Sequence, residues 1–344
     1  GLLFAGGLGW CLIASLWSFE PGEAATTAAR LAILIASGWL VIDICRRTPE
    51  VDGRATRRMG YAAVAGAAVG AALLSSEILS DHMVKRVLTW DWTPRGVRDS
   101  ETNRAASLIA ILAFLVVPWA WHRPGGRPLA VIAGTLVAAT LWLAAYSTSQ
   151  MAFLLGLLFL AVAWLGPGVR RAIWVMAGAL SLLAMPWLAQ AAFDAGLSEA
   201  GWLPGSAAHR VFIWNHVSEW ALEKPLIGWG FDSSSEFSNR GVEPWPDYAS
   251  VIPLHPHNAS LQVFLELGAV GLAIAAGVLI EAVRRIEAAG AAWAPWFGAA
   301  ALTAYAIANS GYGIWQTQWV AALLWCGCFA HALIRGQVSA RGAA

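Results

Sequence analysis

Residues His255 to Gly271 read HPHNASLQVFLELGAVG, and the apolar run that begins inside this stretch continues to about residue 280. Two histidines flank a proline, an asparagine follows, and the chain then becomes apolar enough to enter a membrane. An apolar segment of about 20 residues matches the length of a helix that crosses a bilayer. The stretch therefore predicts a membrane-spanning helix over residues 258–280, with polar and titratable groups at its mouth.

The composition extends this prediction to the whole chain. Of the 344 residues, 58% are hydrophobic and 12% are charged, and the mean hydropathy is +0.59. Soluble domains carry roughly 25% charged residues. The apolar runs do not alternate with polar residues as the strands of a membrane β-barrel do. An all-α polytopic membrane protein is the class that fits, and the net charge of +1 argues against nucleic acid as a partner.

About ten apolar segments are bounded by proline, glycine and charged residues. The predicted spans are 1–19, 27–45, 60–80, 105–121, 128–147, 150–166, 171–192, 258–280, 292–309 and 315–334. Alternate connections are rich in arginine, which assigns them to the cytoplasmic side. These residues are Arg46, Arg47, Arg54, Arg57, Arg58, Arg123, Arg127, Arg170, Arg171, Arg284, Arg285, Arg335 and Arg341.

Two long loops then fall on the outer, periplasmic side, at about 81–104 and 193–257. The second is too long for an ordinary connection, and long loops of this kind are usually functional. We expect short helices at the membrane surface there, and the candidate active site. The chain 1–344 as a whole is expected to form a single transmembrane domain.

The polar mouth of the predicted span 258–280 admits several interpretations. Asn258 can cap the helix by accepting a hydrogen bond from a free backbone N–H group, but this leaves His257 without a role. A zinc site would need three or four ligands, so His255 and His257 would have to be joined by His209 or His216. A histidine with a pKa of about 6.5 also suits a general base at neutral pH.

Outer-side arginines suit a substrate that carries phosphate. Arg210 presents a planar fork of donors that fits phosphate oxygens and stays charged at any working pH. With His257 as the base and Arg210 on a diphosphate, the pair suits transfer of a lipid-diphosphate-linked group to a hydroxyl acceptor, without ATP. Trp214, Trp229 and Trp245 on the same side fit either sugar stacking or a belt of tryptophans at the membrane interface.

A transporter or flippase is the alternative that a polytopic composition alone favours. Such a protein would carry charged groups along its spans. Glu266 lies within a span, and Asp43 lies near the end of another. Glu266 follows His257 by about 13 Å along a helix at 1.5 Å per residue, so no hydrogen bond between these two side chains is expected.

The spacing after the two histidines resembles a motif of the bacterial O-antigen ligase and O-antigen polymerase superfamily. His257 and Asn258 are followed by nine residues, then Gly268, two residues and Gly271. This is similar to the H[NSQ]-x9-G-x-x-[GTY] pattern of that superfamily. We expect the two glycines to allow close helix packing rather than to contact substrate.

Three further segments resemble motifs of the same superfamily, in the same order along the chain. Arg210 and Trp214, followed by residues 225–230 (PLIGWG), resemble its R-x3-W and P-x-x-G-x-G segment. Residues 14–21 (ASLWSFEP) resemble its WS-x-[DE]-P turn, and residues 146–150 (YSTSQ) resemble its outer S-x-S-R helix start. The resemblance covers nearly the whole chain.

The resemblance implies a GT-C-like helical fold in the bacterial inner membrane, with twelve helices in the full protein and two of them before Gly1. It implies a glycosyltransferase that takes a glycan from undecaprenyl diphosphate among the membrane lipids. An O-antigen ligase that joins this glycan to lipid A-core, in lipopolysaccharide biosynthesis, is the leading prediction. A polymerase of O-antigen or exopolysaccharide, which joins lipid-linked repeats, is the alternative. The implied chemistry is inverting and needs neither a metal nor another cofactor.

The resemblance also implies roles for individual residues. His257 is the implied catalytic base. The implied substrate-binding residues are Arg210, Arg104, Gln150, Trp214, Asn258 and His255. Gln150 departs from the family, which often has an arginine at this position and thereby a charge for the diphosphate. Either Arg104 or Arg30 would supply the missing charge, or the lipid is held differently.

Overall fold

The computed structural model describes residues 2–47, 53–80, 83–90, 99–144, 147–237, 239–246 and 248–342. Every regular element in these ranges is helical, and no strand forms among them, which confirms the all-helical prediction. The α-helices are α1 (Leu2–Ala14), α2 (Pro21–Arg47), α3 (Gly53–Leu79), α4 (Met83–Thr89), α5 (Asp99–Trp121), α6 (Arg127–Leu143), α7 (Ser147–Ala163), α8 (Pro167–Gly178), α9 (Met185–Asp194), α10 (Gly205–Glu223), α11 (Ala259–Ala288), α12 (Ala294–Ala308) and α13 (Thr317–Gly342).

Within the described residues, four short helical turns lie between these α-helices. Three are 3₁₀ turns, at Ser15–Trp17, Leu197–Glu199 and Ser234–Glu236, and a π-helical turn at Ala179–Ala184 joins α8 to α9. Tyr146 of the YSTSQ segment lies outside the described residues. So do residues 81–82 and 91–98 of the predicted outer loop 81–104.

Five of the described helical segments are long and apolar enough to cross a membrane. They are Pro21–Ile44, Arg58–Leu79, Thr102–Trp121, Pro167–Asp194 and Ala259–Ala288. Shorter apolar helices occupy Leu2–Trp17, Arg127–Leu143, Thr148–Ala163, Ala294–Ala308 and Thr317–Leu333. All these segments coincide with predicted spans. The chain is a helical membrane protein, and the number of helices that cross the bilayer stays a prediction.

Large apolar side chains cover much of the helix surface. Leu158, Val175 and Met176 are 63%, 71% and 62% exposed. In water, contiguous apolar patches of this kind would drive association. In a bilayer they face lipid tails, so the same surface is consistent with the membrane environment that the composition predicts.

The chain divides into two compact units. The first comprises Gly1–Ser37, Arg171–Arg285 and Ala308–Ala321, and it contains the HPHN stretch. The second comprises Gly38–Arg170, Ile286–Ile307 and Ala322–Ala344. The expectation of a single transmembrane domain stays a prediction.

Small residues let the helices of the second unit approach closely. Ala71, Ala106, Ala110 and Ala113 form one buried cluster with larger apolar side chains. The Thr140 hydroxyl donates to the Leu136 carbonyl within its own helix and also reaches the Ala71 carbonyl of α3. Small side chains and hydroxyl groups that bond between helices are the usual means of packing where lipid supplies no hydrophobic force.

The outer segment 193–257 contains one long helix where the sequence predicted only short ones. Helix α10 has 19 residues, and its buried residues include Val211, Ile213, Asn215 and Val217. Because burial is not confined to one stripe of this helix, its sequence lacks the amphipathic periodicity by which a surface helix is recognised.

Helix α11 is broken at Gly268, where the backbone has φ 64° and ψ −159°. This region of backbone space is open essentially to glycine alone. The break removes the helical partners of nearby carbonyl groups, and another segment replaces them. The backbone N–H of Trp229 donates to Leu265 O at 2.8 Å, and that of Gly230 donates to Glu266 O at 3.0 Å.

The same segment accepts hydrogen bonds from the far side of the break. The N–H of Ala269 donates to Pro225 O at 2.8 Å, and that of Val270 donates to Leu226 O at 3.4 Å. A Cβ atom on Gly268 would collide with the backbone of Leu226. Gly268 thus allows a close approach, as predicted, but the expected helix–helix contact is wrong, because its neighbour is the PLIGWG segment. The Cβ position of Gly271 meets Leu267 and Val263 of its own helix.

We expect Gly268→Ala to destabilise the protein, because an alanine at this backbone conformation is strained by about 1–3 kcal/mol and its Cβ meets the Leu226 backbone. Gly66→Ala is the matched control, since Gly66 has open space around its Cβ position and alanine favours a helix. Thermal unfolding in detergent should show a clear loss for Gly268→Ala only. Equal melting of both variants would contradict a structural role for the break.

Candidate functional site

The first turn of α11 is capped by two asparagines. Asn258 Oδ1 accepts a hydrogen bond from the N–H of Leu261 at 3.0 Å, which confirms the predicted cap. Asn309, 49 residues beyond Ser260, accepts from both the N–H and the hydroxyl of Ser260, at 3.1 and 2.7 Å. These bonds satisfy donors that a buried helix end would otherwise leave unpaired. They also fix the residue that precedes the cap, His257.

The imidazole of His257 has a defined orientation. Its Nδ1 lies 2.8 Å from the carbonyl oxygen of Gly311. Since a carbonyl can only accept, Nδ1 carries the proton, and in the neutral ring Nε2 keeps its lone pair. The backbone of His257 is left-handed, with φ 56°, a conformation that few residues other than glycine adopt. The ring is thus held with its basic nitrogen available.

His255 braces the same turn from within. Its Nδ1 accepts the backbone N–H of His257 at 3.2 Å, and the two ring centroids are 4.2 Å apart. Gly313 lies against the His255 ring so closely that a Cβ there would press on it. His255 is 7% exposed, and it shapes the loop.

Both histidines are neutral at physiological pH. Burial, with the charges of His257 and Arg210, lowers the pKa of His255 to about 3. Burial also lowers the pKa of His257 to about 4, with a smaller contribution from Arg210, while the hydrogen bond to Gly311 acts in the opposite direction. A neutral His257 is the form that can accept a proton.

Helix α10 brings Arg210 and Trp214 to this loop. The indole N–H of Trp214 donates to Pro256 O at 2.9 Å, which ties the helix to the residue between the two histidines. Arg210 lies one turn earlier on the same face. Its charge acts on both imidazoles, so the structure brings these predicted site residues together.

Among the described residues, none provides a counter-charge for Arg210. It is half-buried, and burial lowers the pKa of its guanidinium group. With the described residues it makes neither a hydrogen bond nor an ion pair. An unpaired, partly desolvated cation is costly unless an anion binds to it. The arrangement therefore fits an anion-binding position beside a neutral imidazole.

Glu266 is the fully buried centre of a second network, two turns further along α11. Its Oε1 accepts from the Gln262 amide at 3.0 Å, and its Oε2 accepts from the Trp315 indole at 2.6 Å and from the Asp232 backbone N–H at 2.8 Å. Gln262 Oε1 in turn accepts the N–H of Ile314 at 3.0 Å. None of these contacts involves His257, which agrees with the expectation that Glu266 does not bond to it.

Residues 309–315, here called the return segment, therefore contact α11 at three points and His257, just before the helix, at a fourth. Asn309 caps the helix, Gly311 orients His257, and Ile314 and Trp315 reach the Glu266 network. None of the sequence motifs predicts a role for this segment. The signal that could have found it is the polar and glycine-rich run NSGYG between two apolar segments.

None of the sequence motifs predicts a role for Asp232 either. Its backbone is left-handed, with φ 57°, and its N–H is the one that Glu266 accepts. Burial raises the pKa of its carboxyl group, while a hydrogen bond from Thr27 and the charge of Arg30 oppose the shift. Arg30, one candidate for the missing family charge, is thus an exposed residue of α2 within electrostatic range of Asp232.

Arg104 and Gln150 belong to the second compact unit. Arg104 is exposed on α5. The amide nitrogen of Gln150 donates to the carbonyls of Leu141 and Trp142, at 2.9 and 3.4 Å, so its donors serve the end of α6. A contact between substrate and either of these residues stays a prediction.

The donor set at the histidines does not resemble a metal site. In the described ranges, no group of three or more His, Cys, Asp or Glu side chains is placed to hold a metal ion. The Nδ1 atoms of His255 and His257 are both engaged by backbone groups. His209 stacks on aromatic rings instead of joining them.

Comparison with known proteins gives matches to ligases of polysaccharides. A family model described as O-antigen ligase matches residues 133–276. A Rickettsia bellii (strain RML369-C) protein named "Putative polysaccharide ligase" is 27% identical over 336 residues, which cover 94% of this chain and 77% of that protein. A similarly named protein of Rickettsia prowazekii (strain Madrid E) is 36% identical over 128 residues, which cover 35% of this chain and 31% of that protein. No solved structure matches the chain.

The helical membrane fold and these matches together define a membrane enzyme of the glycosyltransferase type. Residues 133–276 match the O-antigen ligase family, which agrees with the resemblance that the motifs predicted. The matched residues 133–276 include Arg210, Trp214 and the HPHN stretch.

We expect the free energy of unfolding to fall as the pH drops from about 6.5 to about 4. Unfolded histidine binds a proton below its ordinary pKa of 6.5, whereas folded His255 and His257 do so only near 3 and 4. The unfolded state therefore gains protons first. Chemical unfolding at several pH values should show a smaller fall in the free energy of unfolding for His255→Asn than for the wild-type protein. An unchanged pH dependence in that variant would contradict the burial of a neutral His255.

We expect Glu266→Ala to destabilise the protein strongly, because the Trp315 indole and the Asp232 N–H lose their acceptor and the Gln262 amide loses one of its two acceptors, at about 1–3 kcal/mol for each unsatisfied donor. Glu281→Ala is the matched control on the same helix, since Glu281 makes surface ion pairs with Arg284 and Arg285, and such pairs contribute about 0–1 kcal/mol. Thermal unfolding in detergent compares the two. Similar losses for both variants would show that the network does not stabilise the fold.

Proposed function

We propose that this protein is an O-antigen ligase. It transfers a glycan from undecaprenyl diphosphate to a hydroxyl group of lipid A-core, at the periplasmic face of the bacterial inner membrane. One observation carries the proposal: at the mouth of a span, a neutral histidine whose Nδ1 is fixed by the Gly311 carbonyl lies within electrostatic range of Arg210, which has no ion-pair partner among the described residues. The match to the O-antigen ligase family and the names of the Rickettsia relatives favour a ligase within this class.

The proposed reaction is a single displacement. His257 Nε2 takes the proton of the acceptor hydroxyl, and the oxygen attacks the anomeric carbon of the lipid-linked sugar. The bond from that carbon to the diphosphate oxygen breaks, and its electron pair leaves with the diphosphate. Arg210 stabilises the charge that develops on the leaving group. Attack from the face opposite the diphosphate inverts the configuration, and the step uses neither ATP nor a metal.

The low pKa of His257 fits this sequence of events. Before substrate binds, burial and the Arg210 charge hold the imidazole neutral. A diphosphate on Arg210 offsets that positive charge and raises the proton affinity of His257. The Gly311 carbonyl stabilises the imidazolium once the proton has moved. The base therefore becomes stronger when the donor lipid is in place.

The remaining expectations complete the proposal. Arg104 adds positive charge for the diphosphate. Gln150 contributes to substrate binding through its side-chain carbonyl oxygen or through packing. Trp214 holds the HPHN loop against α10, while His255 and Asn258 shape it. About ten helices of this chain cross the membrane in a GT-C-like arrangement, and the segment 193–257 faces the periplasm.

The nature of the acceptor is tested directly with purified protein. The donor is a defined undecaprenyl-diphosphate glycan, offered with either lipid A-core or a second lipid-linked repeat. We expect glycan on lipid A-core. A ladder of longer lipid-linked glycans would identify a polymerase instead. Movement of the lipid across vesicle bilayers without a new glycosidic bond would identify a flippase.

We expect His257→Ala to lower turnover by about 10²–10⁴-fold, the usual contribution of a general base. Arg210→Ala should lose more activity than Arg210→Lys, because lysine keeps the charge but not the planar fork. Arg240→Ala is the control, since Arg240 is an outer-side arginine paired with Glu223 at 2.8 Å. Full turnover of a folded His257→Ala protein would remove the assigned base.

A further inference from the structure

The structure separates the outer-side tryptophans by what their rings contact. The indole N–H of Trp214 is donated to Pro256 O, and that of Trp229 is donated to Trp220 O at 2.7 Å. The Trp229 ring also lies under the Lys224 ammonium and the Arg240 guanidinium. Both indole N–H groups, and the ring of Trp229, therefore make contacts within the protein.

Trp245, Tyr248 and His209 form a different arrangement, here called the aromatic ledge. A turn closed by the Tyr248 N–H on Trp245 O, at 3.0 Å, brings both rings to α10. Their centroids lie 5.5 and 4.2 Å from that of His209. Phe212 supports Trp245 from the next turn, at 5.5 Å. The ledge thus packs against α10.

One aromatic surface of this ledge is open. His209 is 7% exposed, whereas Tyr248 is 46% exposed. Because the imidazole lies against one face of the tyrosine ring, the other face is available to a ligand. A flat apolar ring with an accessible face suits a molecule that is itself flat and partly apolar.

The ledge adjoins the reacting groups. The phenol of Tyr248 opposes the lowering of the Arg210 pKa, so these two groups lie within electrostatic range. Arg210 and His209 both act in turn on His257. A ligand anchored to Arg210 by a phosphate could therefore reach Tyr248 with its next group, while its bond to the phosphate lies near His257.

His209 carries an independent sign of a binding site. Its Nε2 atom is buried and has no hydrogen-bond partner among the described residues. Burial, with the charge of Arg210, lowers the pKa of this imidazole. Buried polar atoms nearly always have a partner, and each exception requires an explanation.

We propose that Trp245, Tyr248 and His209 form a binding subsite for a pyranose sugar, the one joined directly to the donor diphosphate. The C–H groups on one face of a pyranose carry slight positive charge and pack on the negative face of an aromatic ring. His209 supports the Tyr248 ring from its other side. This inference rests on the proposed function, because it takes Arg210 as the diphosphate ligand, and it adds the recognition of the sugar.

Binding measurements test the subsite without turnover. The full chain in detergent is titrated calorimetrically with farnesyl diphosphate, and with farnesyl diphosphate linked to glucose, galactose or N-acetylglucosamine. We expect the wild-type protein to bind at least one sugar-bearing lipid more tightly than farnesyl diphosphate. Tyr248→Ala should reduce that preference by about three- to tenfold and leave the affinity for farnesyl diphosphate unchanged.

Two further variants check the cause of this loss. Tyr248→Phe should keep the preference, because the ring remains, and Trp245→Leu should reduce it. Trp202→Ala is the matched control, since Trp202 is an outer-side aromatic residue that is 75% exposed, and it should behave like the wild-type protein. A preference that survives Tyr248→Ala, or no preference for any of the three sugars, overturns the subsite.

Failure of the proposed function has a separate signature. Arg210→Ala should weaken the binding of all four lipids alike, because each carries the diphosphate. Farnesyl diphosphate binding that is unaffected by Arg210→Ala contradicts the diphosphate role, whatever the sugar-bearing lipids do. Both inferences are supported if Tyr248→Ala removes the sugar preference alone and Arg210→Ala weakens the binding of all four lipids.

Discussion

The backbone break at Gly268 is the constraint on which the site depends. In apolar surroundings each free N–H and C=O group must find a partner within the protein, so a break in α11 requires a second segment to pair with it. Residues 225–230 meet this requirement with hydrogen bonds on both sides of the break. The break therefore fixes the end of α10 against α11, and with it the helix that carries Arg210.

The glycines of the motifs are explained by this pairing rather than by contact with substrate. A Cβ on Gly228 would collide with the Glu266 backbone, and one on Gly230 would collide with Ser18. The N–H of Phe231 continues the pairing, since it donates to Ala14 O at 3.2 Å. The turn in residues 14–21, the PLIGWG segment and the break in α11 thus lie in contact, backbone against backbone.

Local sequence signals account for much of the fold and for part of the site. Apolar length located the helices, and Asn258 at the start of an apolar run located the cap, because both are set by neighbours in the chain. The return segment could not be found in this way, since Gly311 is 54 residues from His257. The neutral state of the histidines was equally inaccessible, because burial by distant segments causes it. Helix α10 was underestimated because burial on several of its faces erases the amphipathic pattern.

The spacing between the histidine and the glycine has a geometric meaning. From Asn258 to Gly268 the helix is fixed at both ends, by a cap and by a break. His257 at one end and Glu266 near the other are both held by the return segment, through Gly311 and Trp315. One residue more or fewer between them would turn Glu266 by about 100° around the helix axis, away from Trp315. Since the break also positions α10, the orientation of the base and the position of Arg210 depend on the same length of helix.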